Sequence, residues 1–357
     1  MFKTNRCIVA LLSAFSLALS GCSKFAFISN SFSENDRENS SIEKEISSDL
    51  SSCSSDDSSY QPILLDNYET FVFFTDPHLY PSTNSFEINE EWFENNVPFI
   101  NEVLKSNPAQ FVMCGGDLIN DNDTKVQAYY KIKYFVDKLK TEFSDFYIIA
   151  GNHDTNYLGD TYISDRNYEA CMLRLDELEL AMFDGNRSYY SFDTHMTRNY
   201  CFNSGIDWDS NEMNDFRVEQ LNWFANDLTK NTKPHITLFT HIALYGTRGN
   251  KSLSAFMQKI GDVIYAFNER KTVCFEEAEY DFTDAFGHID FIQAGHEHAD
   301  VNDFVCGGVP IVITTTFSAP STATQPTLDC VCVDYDSNQI ICKRFGDGND
   351  RIFNISQ

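Results

Sequence analysis

The feature that most constrains this 357-residue chain is one design used five times: a short apolar run that ends in Asp, Asn or His. Phe71-Val72-Phe73-Phe74-Thr75 runs into Asp76-Pro77-His78. Phe111-Val112-Met113-Cys114 runs into Gly115-Gly116-Asp117, and Phe146-Tyr147-Ile148-Ile149-Ala150 into Gly151-Asn152-His153-Asp154. Ile236-Thr237-Leu238-Phe239-Thr240 runs into His241, and Phe291-Ile292-Gln293-Ala294 into Gly295-His296-Glu297-His298. Runs of this length and polarity read as buried strands. In open α/β sheets, ligands bind beyond the carboxyl ends of the strands. Neutral imidazole is the commonest protein metal ligand. A single Asp or His after a strand is ordinarily a turn residue or a helix cap. Five in order, carrying five of the eight histidines, instead suggest one shared site.

Between these runs, apolar residues recur at helical spacing over 90–105 and 125–143. The resulting β-α-β-α-β order predicts parallel strands joined by right-handed crossovers. Strands at 189–192 and 199–202 open a second sheet, and helices are expected at 168–180, 215–228 and 252–267. After His298 the pattern turns to β at 309–315, 328–334, 339–345 and 351–355.

The order Asp-x-His, Gly-Asp, Gly-Asn-His-Asp, His, Gly-His-x-His, running from Asp76 to His298, resembles the calcineurin-like metallophosphoesterase family. The resemblance implies an α/β fold, a four-layer α/β/β/α sandwich of two mixed sheets flanked by helices. It implies two divalent ions (Mn, Fe or Zn): one held by Asp76, His78 and His298, the other by Asn152, His241 and His296, with Asp117 bridging. It implies hydrolysis of phosphate mono- or diesters by a metal-bound hydroxide. His153 would protonate the leaving group, and Asp154 would hold the His153 tautomer. Two cations about 3.5–4 Å apart need such a bridging carboxylate between them. Purple acid phosphatases carry a tyrosine ligand three residues after that aspartate; Asn120 stands there in this chain. A non-catalytic binding module on the same fold is the alternative, and it predicts lost ligands, whereas all seven positions and His153 are present. A hydrolase of the same fold acting on something other than phosphate is left open by the ligand set.

The net charge of −27 argues against a nucleic-acid scaffold, which needs basic patches. A small phosphorylated substrate must then be drawn in locally by the metals. Lys3 and Arg6 followed by an apolar stretch over 8–19 form an export signal. Leu19-Ser20-Gly21-Cys22 resembles the lipobox of bacterial lipoproteins, which implies cleavage before Cys22 and a lipid on that cysteine. The expected organisation is a lipoprotein signal peptide at 1–21, a disordered Ser- and acid-rich tether at 22–65, and the metallophosphoesterase domain at 66–357. The expected place is the extracytoplasmic face of a bacterial membrane. Cys332 and Cys342 either bridge across a hairpin or stay buried thiols. His195, His235, His288 and the Arg344–Arg351 turn read as solvated surface. Rim loops at 79–89, 155–187 and 243–251 are expected to set specificity.

Overall fold

A computed structural model describes residues 67–78, 90–119, 125–143, 145–155, 189–205, 213, 215–249, 254–317 and 325–355. The expected signal peptide, Cys22, the expected tether, Asn120, the expected helix at 168–180 and most of the expected rim loops lie outside these residues.

The first sheet has the order β14-β13-β12-β1-β2-β3. Its strands are β1 (Tyr68–Phe74), β2 (Phe111–Cys114), β3 (Phe146–Ile148), β12 (Leu328–Asp334), β13 (Gln339–Phe345) and β14 (Arg351–Asn354). The second sheet has the order β10-β11-β9-β6-β5-β4. It comprises β4 (Tyr190–Asp193), β5 (Thr197–Cys201), β6 (His235–Thr240), β9 (His288–Ala294), β10 (Val301–Val305) and β11 (Val309–Ile313). The hairpin β7 (Thr272–Phe275) and β8 (Ala278–Asp281) stands apart. Both sheets are mixed: β1-β2-β3 and β5-β6-β9-β11 are parallel, while β12 to β14 join antiparallel at one edge.

The helices are α1 (Glu90–Ser106), α2 (Lys125–Glu142), α3 (Asp215–Leu228) and α4 (Ala255–Asn268). Three buried clusters define the layers. Val72, Phe74, Val112 and Cys114 pack with Ile100, Phe135 and Leu139 of α1 and α2. Phe71, Phe73 and Met113 meet Phe239, Phe291 and Val312 between the sheets. Leu238 and Ile292 pack with Leu221 and Phe224 of α3 and with Ile260, Ile264 and Phe267 of α4. Residues 71 and 73 thus point one way and 72 and 74 the other, the two-residue period of a strand. Because both faces are covered, the run is apolar throughout instead of alternating. In α4, Phe256, Ile260, Val263, Ile264 and Phe267 lie at helical spacing and are all buried, so one stripe drives its docking. The fold is therefore the four-layer α/β/β/α sandwich.

Some expectations change. β7, β8 and β10 were not foreseen. Strand β7 buries only Phe275, and β10 only its two ends, so neither shows an apolar run. Cys332 pairs with Ile341 and Cys342 with Val331, which puts the two thiols on opposite faces of the hairpin; both are free. Arg344 and Arg351 are buried instead of solvated.

Candidate metal centre

The five ligand-bearing segments converge beyond the carboxyl ends of β1, β2, β3, β6 and β9. The first sheet supplies Asp76, His78, Asp117 and Asn152; the second supplies His241, His296 and His298. One donor atom each from Asp76, His78, Asp117 and His298 lie within 4.8 Å of one another, and so do those of Asp117, His241 and His296. Asp117 belongs to both groups. Asn152 Oδ1 lies 3.1 Å from His241 Nε2 and 2.8 Å from His296 Nδ1.

The backbone is bent to bring these groups together. Asp76, His78, Asp117, His296 and His298 all have positive φ, between 38° and 72°. That region costs a non-glycine residue about 1–3 kcal/mol and is kept only where the surroundings fix it. Here Asp76 N–H donates to Gly116 O (3.0 Å), His78 N–H to Asp117 O (3.0 Å), and His296 N–H to Asp76 Oδ2 (3.1 Å). The glycines make the approach of the strand tips sterically feasible. A Cβ on Gly151 would sit 2.1 Å from Asp117 Oδ1, and one on Gly295 would sit 2.2 Å from Thr75 Oγ1.

The donor set fits cations. His241 Nδ1 lies 2.8 Å from Gly115 O, so this nitrogen carries the ring proton. In the neutral ring, Nε2 then presents a lone pair to Asp117 Oδ2 at 3.1 Å and to Asn152 Oδ1 at 3.1 Å. Three electron-rich atoms facing inward repel unless positive charge lies among them. The electrostatics agree. Burial alone would drive His241 toward the neutral form, yet the Asp117 and Asp76 carboxylates push its pKa up to about 10. Burial opposes ionisation of Asp117 as well, but the His241 charge holds its pKa down. His296 falls to about 4, chiefly by burial and then by the nearby His241 charge. On the other side His78 Nε2 and His298 Nε2 are 2.9 Å apart, and His298 Nε2 is 3.0 Å from Asp76 Oδ1.

His153 sits at the mouth of the cluster, with a side-chain exposure of 27% and its Nε2 3.9 Å from Asp117 Oδ2. Its N–H donates to Asp117 Oδ1 at 2.8 Å. Asp154 departs from expectation. Instead of holding the His153 ring, its carboxylate accepts the backbone N–H groups of Asp117 (3.0 Å), Leu118 (2.9 Å), Ile119 (3.4 Å) and Gly151 (2.8 Å). Burial and the Asp117 charge raise its pKa to about 7 against the pull of the Gly151 N–H. Asp154 therefore clamps the Asp117 loop to the Asn152 loop.

Two further supports lie behind the ligand loops, one of them in Glu219-Gln220-Leu221-x-Trp223, whose sequence resembles a recurring segment of the family. Gln220, fully buried, accepts Asn203 N–H (2.8 Å) and donates to Asn203 O (3.0 Å). Beside it Ser204 Oγ accepts Ile242 N–H at 3.0 Å, next to His241. Arg344 makes a forked pair with Asp329 (2.6 and 3.0 Å) and reaches Asp300 at 2.8 Å, two residues past His298. The Asp329 carboxylate also accepts from Gln293 in β9 at 3.2 Å, linking the sheets beneath the ligand loop.

This geometry defines a metal-binding phosphoesterase site, and the sequence comparisons agree: the family model for calcineurin-like phosphoesterases matches residues 69–300. The chain belongs to that family and is a phosphoesterase hydrolase that depends on divalent metal. A dimetal phosphatase from Danio rerio has a similar fold, with a TM-score of 0.55 at 12% identity over 81% of this chain and 99% of that one. A purple acid phosphatase from yellow lupin gives a TM-score of 0.46 at 13% identity, over 80% of this chain and 53% of that one. A calcineurin-like phosphoesterase from Bacillus subtilis gives 0.43 at 13% identity, over 82% of this chain and 93% of that one. Comparison with curated proteins finds no match.

Proposed function

We propose that the chain hydrolyses small phosphate mono- or diesters with two divalent cations, at the extracytoplasmic face of a bacterial membrane and anchored by a lipid on Cys22. The observation that carries the two-cation reading is Asp117, whose carboxylate belongs to both donor groups. Asp76, His78 and His298 would hold one ion, and Asn152, His241 and His296 the other. With no thiolate among the donors, Mn, Fe and Zn suit the set. When bound, the ions supply Lewis acidity: they lower the pKa of water toward neutrality and offset charge on the phosphoryl oxygens.

The residues divide the remaining work. Asp117 would serve both ions with a single carboxylate. His153, half-buried at the mouth, is placed to give a proton to the departing ester oxygen. Asp154 fixes the Asp117 and Asn152 loops relative to each other through four backbone hydrogen bonds. The anchor reading is supported by Leu19-Ser20-Gly21-Cys22 behind its apolar stretch.

The test strips the full chain with chelator, reloads it with Mn²⁺, Zn²⁺ or Fe²⁺, and compares p-nitrophenyl phosphate with bis-p-nitrophenyl phosphate. Metal-dependent turnover with two ions per chain is expected, and the ratio of the two rates assigns monoester or diester preference. Full turnover in chelator overturns the metal reading. In a bacterial host, labelled fatty acid should enter the unaltered chain and not Cys22→Ser; equal labelling of both overturns the anchor.

A further inference from the structure

Asp76 adopts its conformation against two local preferences. Its φ of 55° lies in the left-handed region, and it stands directly before Pro77. A proline ring crowds the residue before it and favours extended backbone there, so the turn needs outside support. The structure supplies a partner for each polar atom of the residue. The N–H donates to Gly116 O at 3.0 Å. The carbonyl accepts the Thr316 hydroxyl at 2.8 Å. Carboxylate Oδ2 accepts the Thr75 hydroxyl at 2.7 Å and His296 N–H at 3.1 Å. Oδ1 instead faces imidazole nitrogens: Nε2 of His298 at 3.0 Å, of His78 at 3.6 Å and of His241 at 4.0 Å.

The Thr316 hydroxyl comes from the other sheet. Past the end of β11, residues 314–317 cross from the second sheet to the first. Thr314 N–H donates to Ala294 O at the tip of β9 (2.9 Å), and Phe317 N–H donates to Thr75 O at the tip of β1 (2.8 Å). Phe317 is fully buried and packs on Phe74 with ring centroids 5.0 Å apart, which anchors the crossing. The Thr75 hydroxyl is enclosed as well: a Cβ on Gly295 would sit 2.2 Å from it, and one on Gly115 2.8 Å. Thr75 and Thr316 are both fully buried, so bulk solvent reaches neither hydroxyl.

We propose that Thr75 and Thr316 are positioning residues for the ligand Asp76. One hydroxyl fixes the carboxylate, the other fixes the turn that carries it, and together they leave Oδ1 as the single oxygen offered to an ion. This rests on the reading of Asp76, His78 and His298 as the ligands of one ion. Carboxylates that bind metal are themselves held by hydrogen bonds, and losing such a partner weakens the ion about 10–100-fold. Both hydroxyls bond Asp76, so the loss falls on its ion and spares the one at Asn152 and His241.

The test titrates the metal-free full chain with Mn²⁺ alone, counts bound ions by electron paramagnetic resonance, and follows hydrogen exchange of the His78 amide in the metal-free state. Thr316→Val keeps the side-chain shape and leaves the Asp76 carbonyl without this donor. One ion should bind about 10–100-fold more weakly while the other keeps its affinity, and the His78 amide should exchange faster. Thr316→Ser should restore both. Thr75→Val should weaken the same ion, and Thr75→Ser should restore it. Unaltered affinity in either valine variant overturns the role of that hydroxyl. Equal weakening of both ions with a lower denaturation midpoint overturns it too, because that is general loosening. An unaltered chain that binds fewer than two ions fails the two-ion reading instead. His78 exchange then decides the brace alone: faster in Thr316→Val and restored in Thr316→Ser supports it, and an unchanged rate overturns it. Should Thr316→Val fail to fold, Thr75→Val against Thr75→Ser decides by the same count.

Discussion

The two ends of the β6-β9 strand pair bring polar side chains together in opposite ways. Past the carboxyl end, the ligands come from five separate strand tips, and five of the seven sit on left-handed backbone. At the amino end, His235, His288 and Asp290 lie on two adjacent strands, and none of them has positive φ. The first arrangement needs strain, glycines and buried braces; the second needs a cross-strand pair and one irregularity of the ladder at Asp290. Strain held in place by the surrounding fold is the mark of a preorganised reaction site. A cross-strand pair is a cheaper device, suited to holding strands together.

Five changes test this contrast, in falling order of effect. Asp117→Asn should release metal and cut kcat/KM by about three orders of magnitude, since metal Lewis acidity is worth several kcal/mol. Turnover near the unaltered rate, with metal retained, would sink the shared-carboxylate reading. His153→Ala should keep both ions and slow turnover about 10²–10⁴-fold, most for alkyl esters with poor leaving groups. Equal loss on p-nitrophenyl and alkyl esters would remove its role as the acid.

Arg344→Met leaves Asp329 without its cation and Asp300 with Arg351 alone, and breaking a buried pair costs about 3–5 kcal/mol. A lower denaturation midpoint, with weaker metal binding through the His298 loop, is expected; an unchanged midpoint refutes the brace. Gln220→Ala leaves two buried backbone groups unsatisfied, worth about 1–3 kcal/mol. Turnover should fall modestly as the His241 segment loosens, and unaltered kinetics together with unaltered stability would dismiss Gln220 as a support.

The smallest change is at the far end. Burial raises the pKa of Glu69 above its ordinary 4.5, against hydrogen bonds from Thr194 and Tyr335. A raised folded-state pKa means a stabilising contribution present below pH 4.5 and lost as pH rises through the folded value. Glu69→Gln should flatten that decline and leave kcat alone. A slope as steep as in the unaltered chain would place the titration elsewhere.

These contrasts also explain what could be read from sequence. The seven candidate ligands follow five apolar runs, so five local signals point to one site without any knowledge of strand pairing. The two-sheet architecture is what the resemblance carried by those residues implies, and a run such as Phe71–Phe74 is apolar throughout because both of its faces are covered. What escaped reading depends on register or on distant partners. His235 meets Asp290 across 55 residues, and Arg344 meets Asp329 across a hairpin 15 residues apart. Asp154 was adjacent to the right loop but serves its backbone instead of the neighbouring ring. β7 and β10 lack apolar runs because they lie at exposed margins.

The division of ligands between the sheets has one more consequence. Four candidates come from one sheet and three from the other, so ions held by them would act as a latch across the sandwich. Anything that binds only the folded state raises its stability by mass action, about 2.7 kcal/mol at a hundred times Kd. Supply of metal would then govern how long each molecule survives heat and proteases as well as how fast it works. Scarcity would silence the enzyme and shorten its life through the same equilibrium.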